Sequence, residues 1–196
     1  MENIKEYSLG DICVVRKGLS FKESHYLESG TPVLKKGNIK VGKVNNESLF
    51  YCDERNHKVL DTHRVRYGDV VITNLDPQAG RVGINLTDTE FILCGEVFKL
   101  EPNPRILDRK YLYYFLVNFP HKIEQLLTSS NVVRLRASSI EKFKIRVPDL
   151  ETQRNIVKQL DTFQELREEL RMRKSQGVYY RDKIMRYLQD CSSAKK

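Results

Sequence analysis

The chain has 196 residues with a formal net charge of +8, 40% apolar residues, 10 Tyr and 8 Phe, enough for one ordinary domain plus an extension. The aromatic and β-branched content excludes disorder for the bulk of it, and no apolar run approaches the roughly 20 residues that cross a bilayer. The surplus of positive charge is shared evenly between residues 1–149 and 150–196 and favours a polyanionic partner, because neutralising phosphates releases condensed counterions.

The amino-terminal Met1-Glu2-Asn3-Ile4-Lys5-Glu6 lacks the basic-then-apolar order of a signal peptide. Cys13, Cys52, Cys94 and Cys191 are far apart and make no C-x-x-C pair, so neither a disulfide framework nor a zinc site is expected, and a reducing cytoplasm is. Strand-length runs follow at Thr31–Leu34, Val70–Thr73, Val82–Asn85, Phe91–Cys94 and Val97–Leu100, the last stopping at Pro102. Gly80 and Gly83 suggest a sharp bend or a close backbone approach.

Asp108 has the position of an N-cap for a helix with Leu112, Phe115, Leu116 and Phe119 on one face. Pro120 interrupts that helix, and a second is expected over His121 to Leu127. Ser138-Ser139-Ile140-Glu141 has the form of a capping box, and Lys142 to Val147 reads as a last strand closed by Pro148.

From Leu150 the character changes. Glu151 to Leu188 holds no Pro and only Gly177, with apolar residues at helical spacing. Asp149 is the expected cap, and Glu151 sits in the first turn. A helix of that length reaches about 55 Å at ~1.5 Å per residue, too long for a small domain to cover. The stripe lapses at Lys174-Ser175-Gln176-Gly177, which marks the place for a kink. The expected class is α+β: a mixed domain of short strands and helices over 1–149, a long coiled-coil-type helix over 150–190 and a tail over 191–196.

The order of these pieces resembles the specificity subunits of type I restriction–modification systems. It runs through Ser8-Leu9-Gly10-Asp11-Ile12, Gly30-Thr31-Pro32-Val33-Leu34 with Asn38-Ile39, Tyr67-Gly68-Asp69-Val70-Val71, Gly80-Arg81-Val82-Gly83 and Ile145-Arg146-Val147-Pro148. The most specific piece is Pro148-Asp149-Leu150-Glu151-Thr152-Gln153, which enters the long helix. The resemblance implies a target-recognition domain that reads a half-site in duplex DNA. Full subunits of the family carry two such domains with two antiparallel helices, so this chain looks like a half-subunit that forms a homodimer to rebuild a bipartite reader. It also implies a methyltransferase subunit as partner, bringing S-adenosylmethionine to methylate adenine, and a restriction subunit recruited indirectly; no cofactor, metal or catalytic residue is expected in this chain itself.

DNA reading needs donors for phosphates and side chains that reach base edges. Four stretches offer them: Arg16, Lys17 and Lys22; Lys35, Lys36, Asn38 and Lys40, with Lys43 close by; Asn74, Gln78 and Arg81; and Asn131, Arg134 and Arg136. Each residue singly reads as an ordinary surface group, and Asn38 and Asn74 also suit turns that bond their own backbone; at least two of the stretches are expected to face DNA. For a partner helix the candidates are Ile156, Leu160, Phe163, Leu166, Leu170, Ile184 and Leu188. Arg167, Lys174 and Arg181 interrupt that seam, which favours a composite interface.

An enzyme is the competing reading. Asp76 with Glu96 and Lys99 resembles a nuclease core, but Glu96 and Lys99 are three apart and fall on opposite faces of a strand. Asn74-Leu75-Asp76-Pro77 resembles an amino-methyltransferase motif without its second proline or its aromatic. His25, His57, His63 and His121 show no metal spacing. A helical adaptor with a basic surface is the third reading.

Overall fold

The computed structural model describes residues 4–128 and 132–193, with side chains through Tyr187. The chain forms two compact units, Met1–Asn155 and Ile156–Lys196. Among the described residues the first holds fourteen strands: β1 (Lys5–Ser8), β2 (Cys13–Lys17), β3 (Thr31–Leu34), β4 (Ile39–Lys40), β5 (Gly42–Val44), β6 (Phe50–Cys52), β7 (Arg64–Val65), β8 (Val70–Thr73), β9 (Val82–Ile84), β10 (Phe91–Leu93), β11 (Val97–Pro102), β12 (Leu127–Thr128), β13 (Arg134–Leu135) and β14 (Lys144–Val147). Its helices are α1 (Leu9–Ile12), α2 (Arg109–Asn118), α3 (Pro120–Glu124) and α4 (Ala137–Glu141), and α5 (Leu150–Ser193) begins in this unit and continues through the second.

A six-stranded sheet runs β2-β11-β8-β9-β5-β4, and a four-stranded one runs β6-β3-β10-β7. Both are mixed, with β5–β9 and β3–β10 parallel. One core cluster joins Leu34, Val65, Phe91 and Leu93 of the smaller sheet to Ile39, Val44, Val71 and Val97 of the larger. Their neighbours Val33 and Ile92 point the other way, into a second cluster with Cys52 and Cys94 under Leu19, Phe21 and Tyr26. The period of two thus buries both faces of β3 and β10, which is why these strands are continuous apolar runs.

Asp108 caps α2 by accepting from Tyr111 N at 3.0 Å. The buried face of that helix is Leu112, Tyr113, Tyr114 and Leu116, whereas Phe119 is exposed. Pro120 occupies the first turn of α3, which ends at Glu124 and so is shorter than the span to Leu127; Leu127 pairs with Leu135 instead. No capping box forms at Ser138, because Ser138 lies inside α4 and Arg136 is its N-cap.

The unit boundary falls inside α5, after Asn155. Asp149 caps the helix, its carboxylate accepting from Thr152 N and Thr152 Oγ1 at 2.9 Å each. The fully buried Gln153 ties the first turn down. Its Oε1 accepts from Asp108 N at 2.7 Å, and its Nε2 donates to Ile106 O at 2.9 Å and Pro148 O at 2.8 Å. A single buried amide therefore joins the α2 cap, the preceding loop and the last strand's end to the start of α5.

The second unit is helical without interruption at Gly177. Phe163, Leu166, Leu170, Tyr180, Ile184 and Met185 are each more than half exposed on it. Leu188 and the tail beyond Cys191 lie outside the described side chains. No helix among the described residues is long and apolar enough to cross a membrane.

Candidate nucleic-acid interface

The tight turn between β8 and β9 organises the surface. Thr73, fully buried, donates through Oγ1 to Gln78 O and accepts from Arg81 N at 2.9 Å, while Gly80 N donates to Thr73 O at 2.8 Å. Gly80 has φ +83°, and a Cβ there would lie 2.9 Å from Ile123 Cγ2. Glycine is thus required both by the left-handed backbone and by the close approach of α3.

Two further segments lean on this turn. On one side, Lys36 Nζ donates to Asp76 O at 2.8 Å and stands 3.8 Å from Glu96 Oε1. On the other, Asp76 N donates to Val133 O and Leu135 N to Asn74 O, both at 3.0 Å, with Leu75 bridged to Arg134. Three of the four candidate stretches, 35–43, 74–81 and 132–136, are therefore contiguous. Asn131, the remaining candidate, lies outside the described residues.

The fourth stretch divides. Arg16 and Lys17 lie in the edge strand β2 rather than in a loop. Arg16 Nε pairs with Glu101 Oε2 at 2.8 Å, and Lys99 Nζ reaches Glu101 Oε1 at 2.8 Å. Lys22 is exposed at the start of a 3-10 turn. Its neighbour Phe21 stacks on Tyr26 at 5.7 Å between centroids, Tyr26 lies 5.1 Å from Phe50, and Lys35 Nζ sits 4.3 and 4.1 Å over those two rings.

Three candidate side chains are committed to the fold. Asn38 is buried, accepting from Lys35 N at 3.2 Å and donating to Glu47 O at 3.1 Å. Asn74 Nδ2 donates to Gly95 O at 2.9 Å, and Arg81 Nη1 to Ile39 O at 3.0 Å. Each of these bonds ties a loop to the backbone of another segment.

The charges sort in the same way. Arg64 and Arg66 form a closed network with Glu54, Asp61 and Glu90 at 2.5 to 2.8 Å. Arg64 holds the Glu54 carboxyl below its ordinary range, and Arg66 does the same to Asp61. Lys40, Lys43, Arg134 and Arg136 are exposed, and among the described residues none of them forms an ion pair. Their charge is thus unspent, and all four belong to the contiguous segments.

A cleft of about 400 Å³ opens there, lined by Lys35, Lys36, Lys40, Phe50, Gln78 and Glu96 among others. Phe50 was not suggested by the sequence, since it lies in a three-residue strand with no pattern of its own, and Glu96, which lies in a turn, was suggested only as part of the nuclease-like set. The nuclease set does not assemble: Lys99 donates to Arg64 O at 2.7 Å and pairs with Glu101, not with Glu96. Among the described residues no group of three or more His, Cys, Asp or Glu is placed to hold a metal ion. Burial pushes the Cys13 thiol up to about 12, which leaves it without thiolate character at neutral pH.

Residues 1–178 match the family model described as "Type I restriction modification DNA specificity domain". The type I restriction enzyme MjaVIII specificity subunit of Methanocaldococcus jannaschii is 25% identical over 193 residues, covering 95% of this chain and 45% of that protein. The putative MjaX specificity subunit of the same organism is 26% identical over 184 residues, covering 84% and 43%. This chain thus spans less than half the length of the curated relatives it matches. Among solved structures, the HsdS subunit from Thermoanaerobacter tengcongensis superposes with a TM-score of 0.63 at 22% identity, over 83% of this chain and 37% of that one. The S subunit from M. genitalium gives 0.59 at 19%, over 84% and 40%. These two likenesses bear on the fold.

Proposed function

Since the chain belongs to the type I restriction modification DNA specificity domain family, we propose that it reads one half-site of duplex DNA through the surface formed by residues 35–43, 74–81 and 132–136. The observation that carries this reading is the contiguity of those three segments, which between them carry four exposed cations that form no ion pair among the described residues, Lys40, Lys43, Arg134 and Arg136. Cations already neutralised by neighbouring carboxylates gain little from a phosphate; unspent ones release counterions when they meet it. Arg134 and Arg136 are the exposed side chains on this surface with the donor geometry for base edges.

The chain itself performs no catalysis in this reading. Methyl transfer belongs to a type I methyltransferase subunit carrying S-adenosylmethionine, with the restriction subunit joined through it. The apolar stripe of the second unit supports assembly with a second copy. In heptad terms Ile156, Phe163, Leu170, Gly177 and Ile184 share one seam position, and Leu160, Arg167, Lys174, Arg181 and Leu188 the other. Parallel pairing sets three basic residues against their own copies. Antiparallel pairing sets Arg167, Lys174 and Arg181 against Gly177, Leu170 and Phe163 of the second copy, which avoids that repulsion.

The test is a salt titration of binding to a random-sequence duplex by fluorescence anisotropy. Each phosphate contact contributes about −0.9 to the slope of log K against log salt. Replacing Lys40, Lys43, Arg134 and Arg136 together by Ala is expected to flatten the slope by about 3 to 4 units. An unchanged slope would place the DNA on another face.

A further inference from the structure

Two residues that line the cleft at Phe50, Gln78 and Glu96, each carry an acceptor oxygen without a partner among the described residues. Those oxygens, Gln78 Oε1 and Glu96 Oε2, are buried. Leaving a buried acceptor unmatched costs about 1–3 kcal/mol, so two in one cleft point to a ligand that brings donors. Phe50, 44% exposed, offers a ring face on the same cleft. Lys35, held over the Phe50 and Tyr26 rings, together with Lys36 and the exposed Lys40, supplies positive charge at its rim. The volume, about 400 Å³, lies within the ~300–1,000 Å³ of small-ligand sites.

A duplex base pair cannot enter the cleft to meet these oxygens. A single unstacked nucleotide matches its lining, with an aromatic face to stack on and cations for its phosphate, and it meets the two acceptors once the partly exposed Gln78 and Glu96 side chains turn toward it. From this we infer that the cleft is a binding site for one unstacked nucleotide whose base carries an exocyclic amino group, namely adenine, cytosine or guanine. Thymine offers only its single ring N–H and leaves one acceptor unmatched. The inference rests on the DNA-reading assignment for its biological source, since the nucleotide comes either from the bound DNA or from solution.

The experiment uses the whole chain, ¹⁵N-labelled and titrated with dAMP, dCMP, dGMP and dTMP, with amide shifts at Gly37, Glu96 and their neighbours as the readout. The amino-bearing nucleotides are expected to bind at least ~fivefold more tightly than dTMP, the equivalent of about 1 kcal/mol for the unmatched acceptor. Glu96→Gln, which keeps the shape but replaces one acceptor by a donor, is expected to erase that preference. Phe50→Leu is expected to weaken all four nucleotides by ~10-fold through lost stacking. Neither variant is expected to change the salt slope of duplex binding, because neither removes a phosphate-contacting cation. No shifts with any nucleotide, or equal binding of dTMP by the unaltered chain, overturns the site and leaves water as the partner of the two oxygens; duplex binding that persists then shows that only the cleft was misread. With nucleotide binding established, a duplex carrying 2-aminopurine separates the sources. A fluorescence rise abolished by Phe50→Leu assigns the nucleotide to DNA, and its absence assigns it to solution.

Discussion

Replacing Gln153 by Met tests the link between the family-like motif and the fold. The substitution keeps length and apolar volume and removes three hydrogen bonds, leaving Asp108 N–H, Ile106 C=O and Pro148 C=O without their partner. The bond to Pro148 O is buried, and the other two lie where solvent has partial access. Counting the first as a full orphan and the others in part gives a loss of about 2–4 kcal/mol. That is a large share of the ~5–15 kcal/mol of a typical domain and corresponds to a fall in Tm of about 5–15 °C. Urea unfolding followed by circular dichroism reads it directly, with an unchanged m-value marking a true stability change. Gln153→Glu sharpens the test: the carboxyl it introduces still accepts from Asp108 N but faces two carbonyl oxygens. It should therefore be at least as destabilised at neutral pH and recover part of the loss when protonation restores one donor. A Gln153→Met protein within about 0.5 kcal/mol of the parent would refute the reasoning.

Phe163→Asp, more than half exposed on α5, should yield monomers in sedimentation velocity where the parent self-associates; an unchanged mass would put the seam on other residues. Gly80→Ala meets a positive φ and a 2.9 Å approach to Ile123, so a loss of about 1–3 kcal/mol is expected in the same urea assay, and a neutral outcome would contradict the tight turn. The pH dependence follows from carboxyls held below their ordinary range: Glu54 by Arg64, Asp61 by Arg66 and Asp149 by Thr152. A depressed folded pKa gives stability that is present above the unfolded value and lost as pH falls through the folded one, so stability should decline progressively below about pH 4. Burial also depresses His63, which extends a shallower decline upward to about pH 6.5. Constant stability across that window would contradict both assignments.

The parts of the fold that were legible in the sequence are those written locally. Asp108 and Asp149 cap as their positions imply, Pro120 opens a helix, and the runs Thr31–Leu34 and Val70–Thr73 are strands. Strands of two or three residues such as β4 and β7 carry no periodicity, and tertiary pairing alone makes them. Tyr113 and Tyr114 were missed as core because α2 packs against β8, β9 and β11 with a broader face than its Leu and Phe spacing suggested. At the surface, residue type located the segments but not the duties within them. Asn38, Asn74 and Arg81 answer to backbone carbonyls and amides up to 42 positions away, and no spacing rule carries that. Glu96 and Phe50 join the cleft only because β6 and the turn before β11 meet the 35–40 segment in space.

Amide hydrogen exchange of the full chain, with and without saturating duplex DNA, tests the assignment of the reading surface most directly. New protection is expected over residues 35–43, 74–81 and 132–136, and none around Arg64 and Arg66, whose charges are already paired. Protection confined to the Arg64–Arg66 face or to the helix beyond Asn155 would contradict that assignment.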